Sequence, residues 1–232
     1  MSKNLAIITA RGGSKRIPRK NIKSFCDKPI LFYSIEAAKE ANVFDEIMVS
    51  TDDEEIAALA RSCGAKVPFL RSAATANDFA STDDVIMEVL NTYRERGEYF
   101  DAFCCIYPTA PFLTGERLRN AMELLKEADS VMPVVAFSYP PQRGLVINKS
   151  GYVERQFPEY ATARSQDLQK IYHDCGQFYA CRSKAFLAAG TTDVEHLLPL
   201  VMSEMEVQDI DTEEDWALAE LKYRMLHRSE SI

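Results

Sequence analysis

The sequence lacks the features that would hold a chain in a membrane or cross-link it. None of its apolar runs approaches the roughly 20 residues that span a bilayer. Between the polar start Ser2-Lys3-Asn4 and Arg11 stand only the six residues Leu5 to Ala10. That is too short for the apolar core of a secretory signal, so a mature cytoplasmic protein with no membrane partner is expected. No C-x-x-C spacing occurs among Cys26, Cys63, Cys104, Cys105, Cys175 and Cys181, which argues against a structural zinc or a redox pair. Cys104 and Cys105 adjoin in a strand-like run and so face opposite ways. Cys175 and Cys181, if they share a strand, lie roughly 20 Å apart, beyond disulfide reach. Reduced thiols, several packed as small apolar groups, are expected. Cations are also in deficit: 27 Lys+Arg face 35 Asp+Glu, a formal charge of −8. A surface given over to nucleic acid or anionic lipid is thereby excluded. Internal repeats and low-complexity segments are missing too.

What the chain does have suits one domain, or one domain with an arm. Its 232 residues are 47% hydrophobic and 10% aromatic, ample for a sizeable core. Leu5 to Ala10 is a continuous β-branched run, as in a strand buried on both faces. A helical pattern runs from about Pro29 to Ala41, and Glu46 to Ser50 reads as a second strand. Thr51-Asp-Asp-Glu-Glu55 supplies the cap and acidic first turn of a helix ending before Gly64. Lys66 to Leu70 reads as a third strand, moved toward an edge by Pro68. Helices at Asp83 to Tyr93 and Thr114 to Glu127 flank a strand at Ala102 to Ile106, and Ser130 to Val135 is another strand. The order predicts an α/β fold, a doubly wound, mostly parallel, Rossmann-like sheet. The rhythm breaks over 138–170, which holds no crossover helix and reads as an inserted arm or lid. It returns at Gln177 to Cys181 and ends in Glu204 to Asp209 and a C-terminal helix to about His227.

The most informative stretch is Arg11-Gly-Gly-Ser-Lys-Arg-Ile-Pro-Arg-Lys-Asn21. It carries five cations, Arg11, Lys15, Arg16, Arg19 and Lys20, just past the carboxyl end of a strand, where α/β sheets bind ligands. Gly12 and Gly13 let a ligand approach the backbone and offer N–H groups. Neither G-x-x-x-x-G-K-[ST] nor G-x-G-x-x-G is present, so this polyphosphate cradle is of another kind. Arg16 and Arg19, flanking Pro18, are the cations expected to be solvated. At the far end of the chain Asp209 and Asp211 are spaced i, i+2. On an extended segment both carboxylates face one way with Ile210 turned into the core, a hard-oxygen pair suited to Mg²⁺. Asp211 could instead cap the helix whose acidic first turn is Glu213, Glu214 and Asp215.

These motifs together resemble the acylneuraminate cytidylyltransferases, the CMP-sialic acid synthetase family. The resemblance rests on Arg11-Gly-Gly-Ser-Lys15 with Pro18-x-Lys20-Asn21, Val49-Ser-Thr-Asp52, Arg71, Asp78 with Ala80-Ser81-Thr82, Pro108-Thr109-Ala110-Pro111 and Asp209-Ile-Asp-Thr212. The segment from Arg164 to Tyr179 is most similar to the pseudaminic acid branch. Tyr107 and Cys175-Gly176 depart from the sialic acid branch, which typically has Gln and Asn-Gly there. The resemblance implies that CTP and an acidic nine-carbon sugar give CMP-sugar and pyrophosphate, with Mg²⁺ held by Asp209 and Asp211, in a homodimer. It implies that Arg11, Lys20 and Asn21, with Gly12, Gly13 and Lys15, face the triphosphate. Arg71, Asp78, Ser81, Thr82 and Thr109 fall to the nucleotide. Tyr107, Gln166, Tyr172, His173, Asp174, Gln177 and Tyr179 fall to the sugar, with Arg164 for its carboxylate. The alternatives are a synthetase for legionaminic, N-acetylneuraminic or another ulosonic acid, and a non-catalytic nucleotide-binding protein. An RNA-binding domain finds no aromatic array interleaved with the basic loop.

Overall fold

Leu5, Ala6, Ile7 and Ile8 are all fully buried on β1 (Asn4–Thr9), because both faces of this strand are covered. Alternation splits them: Ala6 and Ile8 enter one hydrophobic cluster, Leu5 and Ile7 another. The structure, a computed structural model, describes residues 2–227. After β1 the basic loop closes in a small hairpin of β2 (Ser24–Phe25) and β3 (Lys28–Pro29), which leads into α1 (Ile30–Ala41). Then come β4 (Glu46–Ser50), α2 (Glu54–Ser62), α3 (Thr82–Glu95), β5 (Ala102–Ile106), α4 (Gly115–Leu124) and β6 (Ser130–Ala136). Past β6 lie the hairpin β7 (Leu145–Ile147) and β8 (Val153–Arg155), then β9 (Tyr172–Asp174), β10 (Phe178–Arg182), α5 (Ser183–Ala189), β11 (Leu197–Val201) and α6 (Glu213–His227).

The seven-stranded sheet runs β11-β6-β10-β5-β1-β4, with β9 added to β6. β1 is parallel to β4 and β5, and β6 to β11, whereas β10 and β9 are antiparallel to their neighbours. The α/β, mostly parallel sheet expected from the sequence is what forms. Helices α1, α2 and α4 cover one face and α3 and α5 the other. Cys104 and Cys105 accordingly face opposite clusters, and all six cysteines are free thiols. Gly115 lets α4 start against the end of α1, since a Cβ there would lie 2.7 Å from the backbone of Glu40 and Ala41.

Three elements differ from expectation. Lys66–Leu70 contributes only a single bridge, Lys66 to Met48; Pro68, without an N–H, cannot extend the ladder. Glu204–Glu206 is one 3₁₀ turn rather than a strand. The strand before it, β11, contains Pro199 and survives because it lies at the sheet edge. Pro133 within β6 falls where the partner of that strand changes from β10 to β9.

A third cluster matters most for the site. Ile17 of the basic loop, Phe25 of β2, Ile210, and Trp216 and Ala219 of α6 pack together with Ile30 and Phe112. Phe25 meets Tyr33, Trp216 and Tyr223 edge-on, with centroids 5.5–5.6 Å apart. Ile210 is 1% exposed. Burying it clamps the acidic segment onto the basic loop, although the two are about 190 residues apart in sequence.

Candidate active site

The carboxyl ends of β1, β4 and β5 point to one edge of the sheet. Because β10 is antiparallel, its first residues Phe178 and Tyr179 lie at that edge too, with Phe178 opposite Ile106. Two clefts open there, as expected for the crevice of an α/β sheet. The first, about 590 Å³, is lined by Arg11, Lys15, Lys20, Arg71 and Thr82 among others. The second, about 610 Å³, is lined by residues including Asp174, Tyr179, Glu204, Asp209 and Lys222. Tyr107 lines both, and is therefore the wall between them.

That wall is firmly held. The N–H of Tyr107 donates to the Gln177 carbonyl at 2.8 Å, and its carbonyl accepts from Ser34 Oγ at 2.8 Å. Its hydroxyl meets Thr82 Oγ1 at 2.9 Å, and its ring meets Tyr179 edge-on at 5.8 Å. The Tyr179 hydroxyl in turn donates to Asp174. Burial raises the pKa of both phenols, and for Tyr179 the bond to Asp174 adds to it; both stay protonated in the physiological range.

In the first cleft the cations of the basic loop each meet a carboxylate. Arg11 and Lys15 both pair with Asp78, the former at 3.0 Å. Arg16 pairs with Asp211 at 2.6 Å, and Lys20 lies 3.7 Å from Asp211 while donating to the Ile210 carbonyl at 2.6 Å. Desolvation by burial lowers the pKa of Lys20, and Asp211 and Asp209 partly restore it. Arg16 and Arg19 are therefore not simply solvated. Arg16 reaches the cleft because its neighbour Ile17 is buried, and Arg19, in a left-handed conformation with φ 56°, turns to Asp53 and Glu55 of α2.

The two carboxylates lie as the alternation predicts, Ile210 inward and Asp209 and Asp211 outward. The helix is capped without them: Thr212 Oγ1 accepts from the Asp215 N–H at 3.2 Å, and Asp215 accepts from the N–H groups of Asp211 and Thr212. Asp211 is thereby released from capping and faces Arg16 and Lys20. Among the described residues no group of three or more acidic, His or Cys side chains gathers as a metal cage.

Other sequence-predicted residues are placed as follows. Asn21 is buried and ties the loop by donating to the Arg11 carbonyl at 2.8 Å. Gly12 gives its N–H to Asp52 at 2.9 Å, and Gly13 stands in open space. Arg71, buried, spends Nε and one Nη on Ser50; desolvation lowers its pKa. Ser81 caps α3 in a capping box with Asp84, so its hydroxyl is engaged, while Thr109 lines the cleft. In the second cleft, His173 and Asp174 line the wall. Gln177 is buried instead and donates to the Glu206 carbonyl at 2.6 Å. Tyr172, Arg164 and Gln166 are exposed and line neither cleft. Sequence reasoning expected Arg16 to be solvated and passed over Glu204 and Lys222. Lys222 had one usable signal, its place three residues after the buried Ala219, on the flank of the packed stripe of α6.

Residues 5–205 match a family model described as cytidylyltransferase. The chain belongs to the cytidylyltransferase family. As a cytidylyltransferase it is a nucleotidyltransferase. It is 40% identical to a pseudaminic acid cytidylyltransferase of Campylobacter jejuni over 98% of this chain and 99% of that one. It is 34% identical to a CMP-N,N'-diacetyllegionaminic acid synthase of Legionella pneumophila over 93% and 94% of the two chains. A solved CMP:2-keto-3-deoxy-manno-octonic acid synthetase in complex with CTP shares the fold, with a TM-score of 0.68 at 18% identity, covering 98% of this chain and all of the other.

Proposed function

We propose that this cytidylyltransferase joins CTP to pseudaminic acid, giving CMP-pseudaminic acid and pyrophosphate. The observation that carries the reading is the pair of clefts divided by Tyr107, with the cations on one side and Asp209 at the boundary of the other. The triphosphate takes the first cleft, where Arg11, Lys15 and Lys20 neutralise it once Asp78 and Asp211 give up their present pairing. Arg71, which lines the same cleft as Thr82, faces the base. The sugar takes the second cleft with its anomeric hydroxyl at the Tyr107 boundary, aligned for in-line attack on the α-phosphate. Positioning and charge neutralisation supply most of the rate in such a transfer. Asp209 and Asp211 are hard oxygen donors on one side of an extended segment. The pair fits Mg²⁺, which takes one or two carboxylates and fills its other positions with phosphate oxygens and water. When bound, the ion neutralises charge on the triphosphate. Pseudaminic acid is favoured over other acidic sugars by the 40% identity to enzymes of that name.

The test is pyrophosphate release by the purified chain with CTP, Mg²⁺ and a panel of pseudaminic, legionaminic, N-acetylneuraminic and eight-carbon ulosonic acids. The highest kcat/KM is expected for pseudaminic acid. Strong turnover of N-acetylneuraminic acid with none of pseudaminic acid would overturn the assignment.

A homodimer is part of the same reading. The 138–170 arm exposes Tyr139, Leu145, Ile147, Tyr152 and Val153, more contiguous apolar surface than an isolated hairpin warrants. Such an arm can carry Arg164 and Gln166 to the site of a second copy. Light scattering at micromolar concentration should give the mass of a dimer; a monomer there contradicts this part.

A further inference from the structure

The second cleft is to receive an acid, yet most of the charged side chains around it are themselves acidic. Asp174, Glu204 and Asp209 all line it. Two of these are already satisfied by the chain: Asp174 accepts from Tyr179 and from the Gly176 N–H, and Glu204 accepts from Ser138 Oγ at 2.7 Å. An anionic sugar entering this space needs a fixed positive charge, or its carboxylate meets only repulsion and desolvation. Among the described residues one Lys or Arg lines the cleft, Lys222 of α6.

Lys222 differs from the basic-loop cations of the first cleft. Arg11, Lys15, Arg16 and Lys20 each have a carboxylate within ion-pair distance. Among the described residues Lys222 has none; its ammonium donates there to the backbone carbonyls of Val207, at 3.0 Å, and Glu204, at 3.4 Å. Those two bonds fix its direction and leave one N–H of the three for a ligand. A half-buried, oriented, unpaired ammonium facing a cleft is a site for an anion. Its position on a regular helix, one turn past the buried Ala219, gives it a rigid base. Arg164 from the same chain cannot serve, because it lines neither cleft.

We propose that Lys222 binds the carboxylate of the acidic sugar and so selects for acidic over neutral sugars. This inference rests on the functional reading above. Lys222→Gln is the informative variant, since an amide can still donate to Val207 while the charge is gone. Steady-state kinetics with CTP, Mg²⁺ and whichever acidic sugar wild type turns over best should show the sugar KM raised about ten- to a hundredfold, the loss expected for a hydrogen bond to a charged group. The KM for CTP should stay within about twofold, and Lys222→Arg should recover most of the sugar affinity. Arg164→Ala is the comparator. An unchanged sugar KM in Lys222→Gln, or parallel loss in the CTP and sugar constants, overturns the proposal. So does a sugar defect confined to Arg164→Ala. If wild type turns over none of the acidic sugars, the functional reading itself has failed and Lys222 falls with it. If wild type is active and Lys222→Gln keeps the wild-type sugar KM, the reading stands and this inference alone is wrong.

Discussion

Asp209→Ala is expected to lower kcat on the order of a thousandfold while leaving the fold intact, the scale of removing a main electrostatic contributor to a transition state. Asp209 is exposed at the edge of the second cleft and supports no helix cap. Its loss therefore creates no cavity and no orphaned buried group. Asp211→Ala is expected to lose activity similarly, with a further change: Arg16 and Lys20 lose their present carboxylate partner. Both variants should need far more Mg²⁺ for half-maximal pyrophosphate release. Circular dichroism and thermal unfolding check that the fold survives. Near-wild-type rates in both variants would remove the metal proposal. The contrast with Ile210 is instructive, because its side chain does the opposite work. Ile210 holds the acidic segment on the basic loop by being buried, so Ile210 belongs to stability and its two neighbours to chemistry.

Lys20→Met is the second large effect, again about a thousandfold in kcat/KM, since Lys20 lies 3.7 Å from Asp211, also feels the charge of Asp209 and is itself half-buried. A pH profile separates its charge from its bulk. Burial disfavours the ammonium, so Lys20 gives up its proton below the ordinary lysine pKa of 10.5. The alkaline limb of kcat/KM for CTP, which reports the free enzyme, should therefore begin to fall below that value. The sign follows from the group: a cation needed for catalysis is lost as pH rises through its own pKa. Lys20→Arg should carry the limb upward, because a guanidinium stays charged. A limb that does not move in Lys20→Arg would assign the titration to another group.

Much of this architecture is legible in the amino-acid sequence. β1, β4 and β5 announce themselves as short continuous apolar runs, because a strand covered on both faces has no polar side to show. The caps at Asp53, Ser81 and Thr114 are where side-chain chemistry places them. The Asp209-Ile210-Asp211 alternation gave both the buried residue and the outward pair. Other parts were not legible. β9 has no buried residue along Tyr172–Asp174 and is held by its pairing with β6, so no hydrophobic pattern marks it. The antiparallel direction of β10 is a matter of topology, which a five-residue apolar run cannot encode.

The site divides the same way. The basic loop could be read because its cations contrast with an acidic chain. Which carboxylates those cations meet could not, since Asp78 and Asp211 arrive from distant segments. Gln177 sits in a polar, aromatic stretch that reads as pocket, yet its side chain turns inward to the Glu206 carbonyl. Loops carry no periodicity from which to predict which way each residue points.

The most direct test of the central claim is a crystal structure of the protein with CTP and Mg²⁺. The account predicts the triphosphate against Arg11, Lys15 and Lys20, the base beside Arg71, and the α-phosphate at the Tyr107 boundary with the ion on Asp209 or Asp211. A nucleotide bound elsewhere, or a metal ion remote from both aspartates, would contradict it.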